Sequence, residues 1–265
     1  MTYFGFLGLF VCIPILVLGV VALRDWRRGV RPNSGLNNLT MGAAILLHSA
    51  IALVYTTPWD NYLVATRVWW YDPTLVNGLV IGYVPIEEYT FFVLQPILTG
   101  LWIALLMRRL PVTPDEYLQP GLRKYAVGLV GIVWTLAMVI LVSGWRPGTY
   151  LGLELGWALL PVMLQLGFGA DILWRYRRHV LAGILIPTLY LSAADTLAIR
   201  AGTWTIDPAQ SLQVYLPGGL PLEELVFFLL TNTLITFGLV LIQAQESLAR
   251  VPRFFTRRQR IIAGQ

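Results

Sequence analysis

Of the 265 residues, 57% are hydrophobic and only 12% are charged, where a soluble domain carries about a quarter charged residues. This excludes an ordinary soluble domain, and continuous apolar blocks near the ~20 residues of a spanning helix exclude a membrane β-barrel with its roughly ten-residue alternating segments. The net charge of +5 is not arranged as a nucleic-acid surface, and the single cysteine, Cys12, excludes an internal disulfide or a cysteine-based metal site.

Seven apolar segments follow in order, at roughly 3–23, 39–57, 84–107, 125–143, 150–170, 179–194 and 220–243. The first has no basic residues before it and no small-residue cleavage site, so it reads as a span and not as a signal peptide. Basic residues collect after segments one, three, five and seven. They are Arg24, Arg27, Arg28 and Arg31; Arg108, Arg109, Arg123 and Lys124; Arg175, Arg177 and Arg178; and Arg250, Arg253, Arg257, Arg258 and Arg260. The remaining connections hold only Arg67, Arg146 and Arg200. By the positive-inside rule the N-terminus is expected outside and the C-terminus inside, with the basic loops contacting anionic lipid. Acids do the reverse: Asp60, Asp72, Glu87, Glu88, Glu154, Asp195, Asp207, Glu223 and Glu224 fall at or near the outer ends.

The chain repeats itself. Asp60, Trp69 and Asp72-Pro73 match Asp195, Trp204 and Asp207-Pro208 at an offset of 135; Gly82 and Pro85 match Gly218 and Pro221 at 136. The expected fold is therefore all-α and integral to the membrane: seven helices as a parallel 3+1+3 repeat with its axis along the membrane normal. Residues 1–110 form the first three-helix repeat and 111–148 a linking region with the fourth helix. The second repeat is 149–245, and 246–265 is a basic cytoplasmic tail. Outer loops 58–83 and 195–219, rich in Trp, Tyr, Gly and Pro, read as interfacial elements over the mouth of the bundle.

The strongest chemical signal is Pro85-Ile86-Glu87-Glu88-Tyr89-Thr90-Phe91-Phe92, matched by Pro221-Leu222-Glu223-Glu224-Leu225-Val226-Phe227-Phe228. Pro followed by acids is also an ordinary helix start. Here it opens two membrane spans with few cations nearby, and acids inside membranes mark function. Neighbouring glutamates point about 100° apart on a helix. Glu88 shares a face with Phe92, Gln95 and Thr99, and Glu224 with Phe228 and Thr231; Glu87 and Glu223 lie over apolar faces. An acid against an aromatic-lined apolar cavity suits an alkene substrate, which offers no lone pair and needs water kept out. Phe91, Phe92, Phe227, Phe228, Trp69 and Trp204 are candidates to stabilise the resulting cation through their ring faces; ordinary packing and an aromatic belt are the competing readings. His48 and His179 are the only histidines, too few for a convincing metal site.

Thr56-Thr57-Pro58-Trp59-Asp60-Asn61-Tyr62, followed by the two Pro-x-Glu-Glu elements, resembles the non-flavin, membrane-embedded lycopene cyclase family. That family occurs as two three-helix subunits, as one fused chain, or joined to phytoene synthase, and this chain resembles the fused form over nearly its whole length. The resemblance implies redox-neutral cyclisation of the linear ends of lycopene to β-ionone rings, through γ-carotene to β-carotene, with no cofactor. The terminal double bond is protonated, the internal double bond attacks the cation, and proton loss completes the ring. It implies Glu87 and Glu223 as the first candidates for the essential carboxylates, Glu88 and Glu224 next, and Asp60 and Asp195 as relay or orienting groups. Trp59 and Tyr89 join the aromatic candidates through the same motifs. The implied partners are lycopene and other linear carotenoids, the lipid bilayer and other carotenoid-pathway enzymes, with no nucleic acid. The implied location is the cell membrane, as a multi-pass protein.

Alternatives stay open: a C50 carotenoid cyclase, a carotenoid 1,2-hydratase, or a proton-coupled transporter. A retinal protein needs a lysine in its last helix, and the one lysine is Lys124.

Overall fold

The computed structural model describes residues 1–32, 35–112 and 119–250. Most of the expected basic tail, with Arg253, Arg257, Arg258 and Arg260, lies outside the described residues. The chain is mostly helical, with seven helices long and apolar enough to cross a membrane. Helices satisfy every backbone polar group internally, which an apolar medium demands.

The first span joins α1 (Tyr3–Phe6), a π-helical stretch (Leu7–Cys12) and α2 (Ile13–Arg27). The others are α3 (Met41–Ala65), α4 (Ile86–Arg109), α5 (Gly121–Ser143), α6 (Thr149–Arg175), α7 (Arg177–Arg200) and α8 (Leu222–Gln243); a short α9 (Gln245–Leu248) follows. α4 and α8 are the centre: 61% and 56% of their apolar windows are buried, against 6% for α5, which packs on α6.

Two expectations are corrected. The outer connections begin later than 58 and 195. α3 runs on through Pro58 and Asp60 to Ala65, and α7 runs through Asp195 to Arg200. Hydropathy falls at those polar residues, yet Asp60 and Asp195 turn inward and are buried, so the helices continue. The chain is also not purely helical. Strand β1 (Trp69–Tyr71) pairs antiparallel with β4 (Trp204–Ile206), matching Trp70 to Thr205. Hairpin β2–β3 (Val80–Ile81, Val84–Pro85) precedes α4, and hairpin β5–β6 (Tyr215–Leu216, Leu220–Pro221) precedes α8. Gly82 and Gly218 turn these hairpins at φ 67° and 90°, where a side chain is disfavoured.

Lipid removes most of the hydrophobic drive between helices, leaving close packing and polar contacts to join them. Gly183 of α7 lies against Ile103 and Thr236, and Gly238 of α8 against His48. Gln95 Nε2 donates to Thr231 Oγ1 at 2.9 Å, Thr99 Oγ1 to Asn232 Oδ1 at 2.7 Å, and Asn232 Nδ2 to Thr188 Oγ1 at 3.3 Å. Asn232 thus ties α4, α7 and α8 together. At the end away from the hairpins, Asp25 holds Arg108 at 2.9 Å and Arg109 at 2.6 Å, and Asp171 holds Arg250 at 2.6 Å. Asn232→Leu keeps the volume and removes the junction; it is expected to cost about 1–2 kcal/mol, measured by denaturant titration in detergent. An unchanged midpoint would show that the junction adds nothing.

Candidate active site

The two Pro-x-Glu-Glu elements start α4 and α8 side by side at the hairpin end. In each pair the first glutamate faces the preceding loop. Glu87 Oε1 accepts from the Asn77 amide at 2.6 Å, and Glu223 Oε1 accepts from the Leu212 amide at 2.6 Å. The hairpins add Ile86 N to Leu79 O at 2.9 Å and Leu222 N to Val214 O at 2.8 Å. Both glutamates are buried, and each keeps an Oε2 without a hydrogen-bond partner.

The second glutamate of each pair faces inward. Glu88, Glu224 and Asp195 line one cavity of about 50 Å³, walled by Phe91, Phe227, Phe228, Trp69, Trp204 and Ile206. Tyr3 Oη donates to Glu88 Oε2, and Tyr71 Oη donates to the same oxygen at 3.0 Å. Trp69 Nε1 in turn donates to Tyr71 Oη at 3.1 Å. On the other side, Tyr150 Oη donates to Glu224 Oε1 at 2.8 Å and Trp204 Nε1 to Asp195 Oδ1 at 2.9 Å. Asp195 Oδ2 is buried without a hydrogen-bond partner among the described residues. The rings cross between the chain's halves: Tyr3 packs on Trp204 at 4.9 Å between centroids, and Tyr150 on Trp69 at 5.2 Å.

Asp60 is fully buried behind Glu88, with neither oxygen hydrogen-bonded, and it does not line the cavity. Its counterpart Asp195 holds Trp204, whereas Trp69 gives its N–H to Tyr71, leaving Asp60 without that donor. Phe92 faces a second cavity. Trp59 stacks on Trp157 at 4.5 Å and donates to Leu153 O. Tyr89 donates to Ile81 O and accepts from Asn61, bracing the β2–β3 hairpin. The cavity therefore takes Trp69, Trp204, Phe91, Phe227 and Phe228 from the candidates and leaves out Phe92, Trp59 and Tyr89.

Among the described residues every ion pair involves Asp25, Asp171 or Glu246, so none reaches the acids at the hairpin end. Burial, and then the charges of Asp60 and Glu88, push the Tyr71 phenol well above its ordinary value, so it stays a donor. The matched aspartates of the loops differ. Asp72 accepts from the Thr74 hydroxyl and amide, and Asp207 from Gln210 and the Ala209 amide; these bonds hold both carboxyls below the usual range. They shape turns and stay ionised at neutral pH.

Three tyrosines of this site escaped the sequence reading. A signal for two of them existed: Thr2-Tyr3-Phe4-Gly5 and Thr149-Tyr150-Leu151-Gly152 are one motif twice. Glu154, fully buried beside Tyr150 and Glu224 with neither oxygen hydrogen-bonded, also went unselected.

The arrangement offers carboxyls that can give and take a proton at one cavity, phenols to orient them, and ring faces for a cation. Comparison with known proteins gives the following relatives. A lycopene beta-cyclase of Halobacterium salinarum is 39% identical over 244 residues, covering 91% of this chain and 95% of its own length. Bifunctional lycopene cyclase/phytoene synthases of Sporisorium reilianum and Gibberella fujikuroi are each 40% identical, over 73% and 72% of this chain and 29% and 33% of theirs. No family model matches the chain, and no solved structure does.

Glu87→Ala removes the acceptor of the Asn77 amide. Hydrogen exchange at that amide is expected to rise roughly fivefold, the equivalent of about 1 kcal/mol for one net hydrogen bond. Exchange unchanged from the parent would deny Glu87 this role.

Proposed function

The chain belongs to the lycopene beta-cyclase family, and from that premise we propose that it closes the linear ends of lycopene into β-rings by proton transfer within the Glu88–Asp195–Glu224 cavity. The observation that carries the reading is three carboxyls facing one aromatic-walled cavity with no cation among them.

Glu88 and Glu224 are the proton-handling pair. A neutral carboxyl donates to the terminal double bond and leaves a tertiary cation. The internal double bond attacks it, forming the ring C–C bond and moving the cation along the chain. A carboxylate then removes a proton from the ring, so one proton enters, one leaves, and no electrons are gained or lost. A carboxyl in an apolar setting favours its neutral form, which makes it a competent donor to an alkene. Phe91, Phe227, Phe228, Trp69 and Trp204 present ring faces to the cation. Tyr3, Tyr71 and Tyr150 orient the two glutamates. Asp195 passes protons to Glu224, and Asp60 lies behind Glu88 in the same role. Glu87 and Glu223, first by motif, act here through the loops they hold; their hydrogen bonds to backbone amides support that order.

The same reading takes residues 1–110 and 149–245 as parallel repeats around one cavity, with 111–148 linking them and 246–265 as a basic tail. In the cell membrane, the N-terminus and the acids are outside and the C-terminus inside. Matched hairpins, matched glutamate–amide bonds and matched tyrosine–glutamate bonds support it. With one cavity, both ends of lycopene are cyclised in turn and γ-carotene precedes β-carotene.

Expression in a bacterium that accumulates lycopene, with pigments resolved by chromatography, tests the reading. β-Carotene is expected, with γ-carotene early. Glu88→Gln and Glu224→Gln should lower the rate by roughly a hundredfold or more. Glu87→Gln and Glu223→Gln keep a carbonyl acceptor for the loop amide and should retain most activity. Lycopene left unchanged by folded parent protein would reject the function. The reverse ranking of the glutamates would return the proton chemistry to Glu87 and Glu223.

A further inference from the structure

A long polyene is insoluble in water. On the proposed cyclase reading, on which the entry path depends, the substrate must therefore reach the acids sideways from the bilayer. Two grooves open between helices on the flanks. One, of about 200 Å³, lies between α3 and α6 with α4 and α8 behind it; Ile51, Ala52, Tyr55, Trp157, Gln95 and Phe227 are among its walls. The other, of about 370 Å³, lies between the first span and α7, against Val17, Trp102 and Tyr190.

The seams carry the same clasp. Tyr55 Oη of α3 donates to Trp157 O of α6 at 2.9 Å, and Tyr190 Oη of α7 donates to Phe10 O of the first span at 3.0 Å. Tyr190 lies 135 residues beyond Tyr55, the offset of the loop motifs. Behind the clasp the two seams differ. The α3–α6 groove shares Phe227 with the acid cavity, whereas the other groove shares no residue with it. Trp59 stacks on both Trp157 and Phe227, so an aromatic wall runs from the seam to the acids. The buried Trp157 N–H has no hydrogen-bond partner among the described residues, and an indole N–H can rest on a π-cloud. The lipid side is open: Ile51 is 53% exposed. From Phe227 to Ile235 the groove follows α8 for about 12 Å of helix.

We propose that the α3–α6 seam is the entry for the linear carotenoid, and that the groove beneath the Tyr55–Trp157 clasp holds its polyene chain while the reacting end lies at Glu88 and Glu224. The groove across the bundle shares no wall residue with the acid cavity and is not part of this path.

The test uses the full chain in lipid nanodiscs with lycopene as probe. Lycopene is achiral, so visible circular dichroism arises only when a protein site twists it. Ala52→Trp fills the α3–α6 groove and should weaken this signal's apparent affinity by at least about tenfold; Val17→Trp, in the other groove, should leave it unchanged. Tyr55→Phe opens the clasp without adding bulk and should speed the appearance of the signal severalfold, whereas Tyr190→Phe should not. This second pair decides the matter should Ala52→Trp fail to fold. Parent-like binding by folded Ala52→Trp, loss of binding in Val17→Trp, or parent-like uptake by Tyr55→Phe would overturn the entry path. Product formation by the parent in any of those cases would leave the cyclase reading standing. Parent protein that neither binds nor cyclises lycopene would remove both.

Discussion

A carboxyl group taken out of water must be paired with a cation, hydrogen-bonded, or neutral. This molecule separates the solutions by position. At one end of the helices Asp25 and Asp171 are paired with arginines. At the hairpin end, Asp60, Glu87, Glu88, Glu154, Asp195, Glu223 and Glu224 are buried; phenols, an indole and backbone amides hold five of them, and Asp60 and Glu154 have no hydrogen-bond partner among the described residues. The rest of the structure is the scaffold that keeps the carboxylate-paired arginines at one end and the ring-walled cavity at the other.

The adjacent glutamates divide their work because a helix turns about 100° per residue. Once α4 and α8 start at Ile86 and Leu222, one carboxyl of each pair must point back to the loop and the next into the bundle. The hairpins enforce that choice. Their amides capture Glu87 and Glu223, and the captured glutamates hold the loops over the cavity. β1 and β4 close the roof by pairing across the two loops, which brings Trp69 and Trp204 onto the tyrosines of opposite halves.

The halves are matched but not equivalent. Tyr71 gives Glu88 a second phenol, and the residue 135 positions on is Ile206. Leu7 of the first Thr-Tyr-x-Gly motif corresponds to Glu154 of the second. One side of the cavity is thus rich in phenols and the other in carboxyls. On the proposed mechanism such a difference fixes which acid is donor and which acceptor, since two identical acids facing one another share a proton with no preferred owner.

Composition and hydropathy determined the seven apolar helices, because an uncharged block near spanning length has few alternatives. The doubled Pro-x-Glu-Glu determined where the acids would gather, because a membrane tolerates few of them without a use. The strands were not legible: three-residue and two-residue pairings carry no period of their own and exist because two distant loops meet. Tyr3 and Tyr150 were hidden by register. Their motif repeats at 147 residues while the loops repeat at 135, since 13 residues (28–40) join the first span to α3 where Tyr176 alone joins α6 to α7. Which glutamate faces the cavity and which Trp meets an acid were decided only by tertiary structure. A sequence states the angle between two side chains on one helix, but the direction of the bundle's interior comes from the neighbouring helices and loops that pack against it.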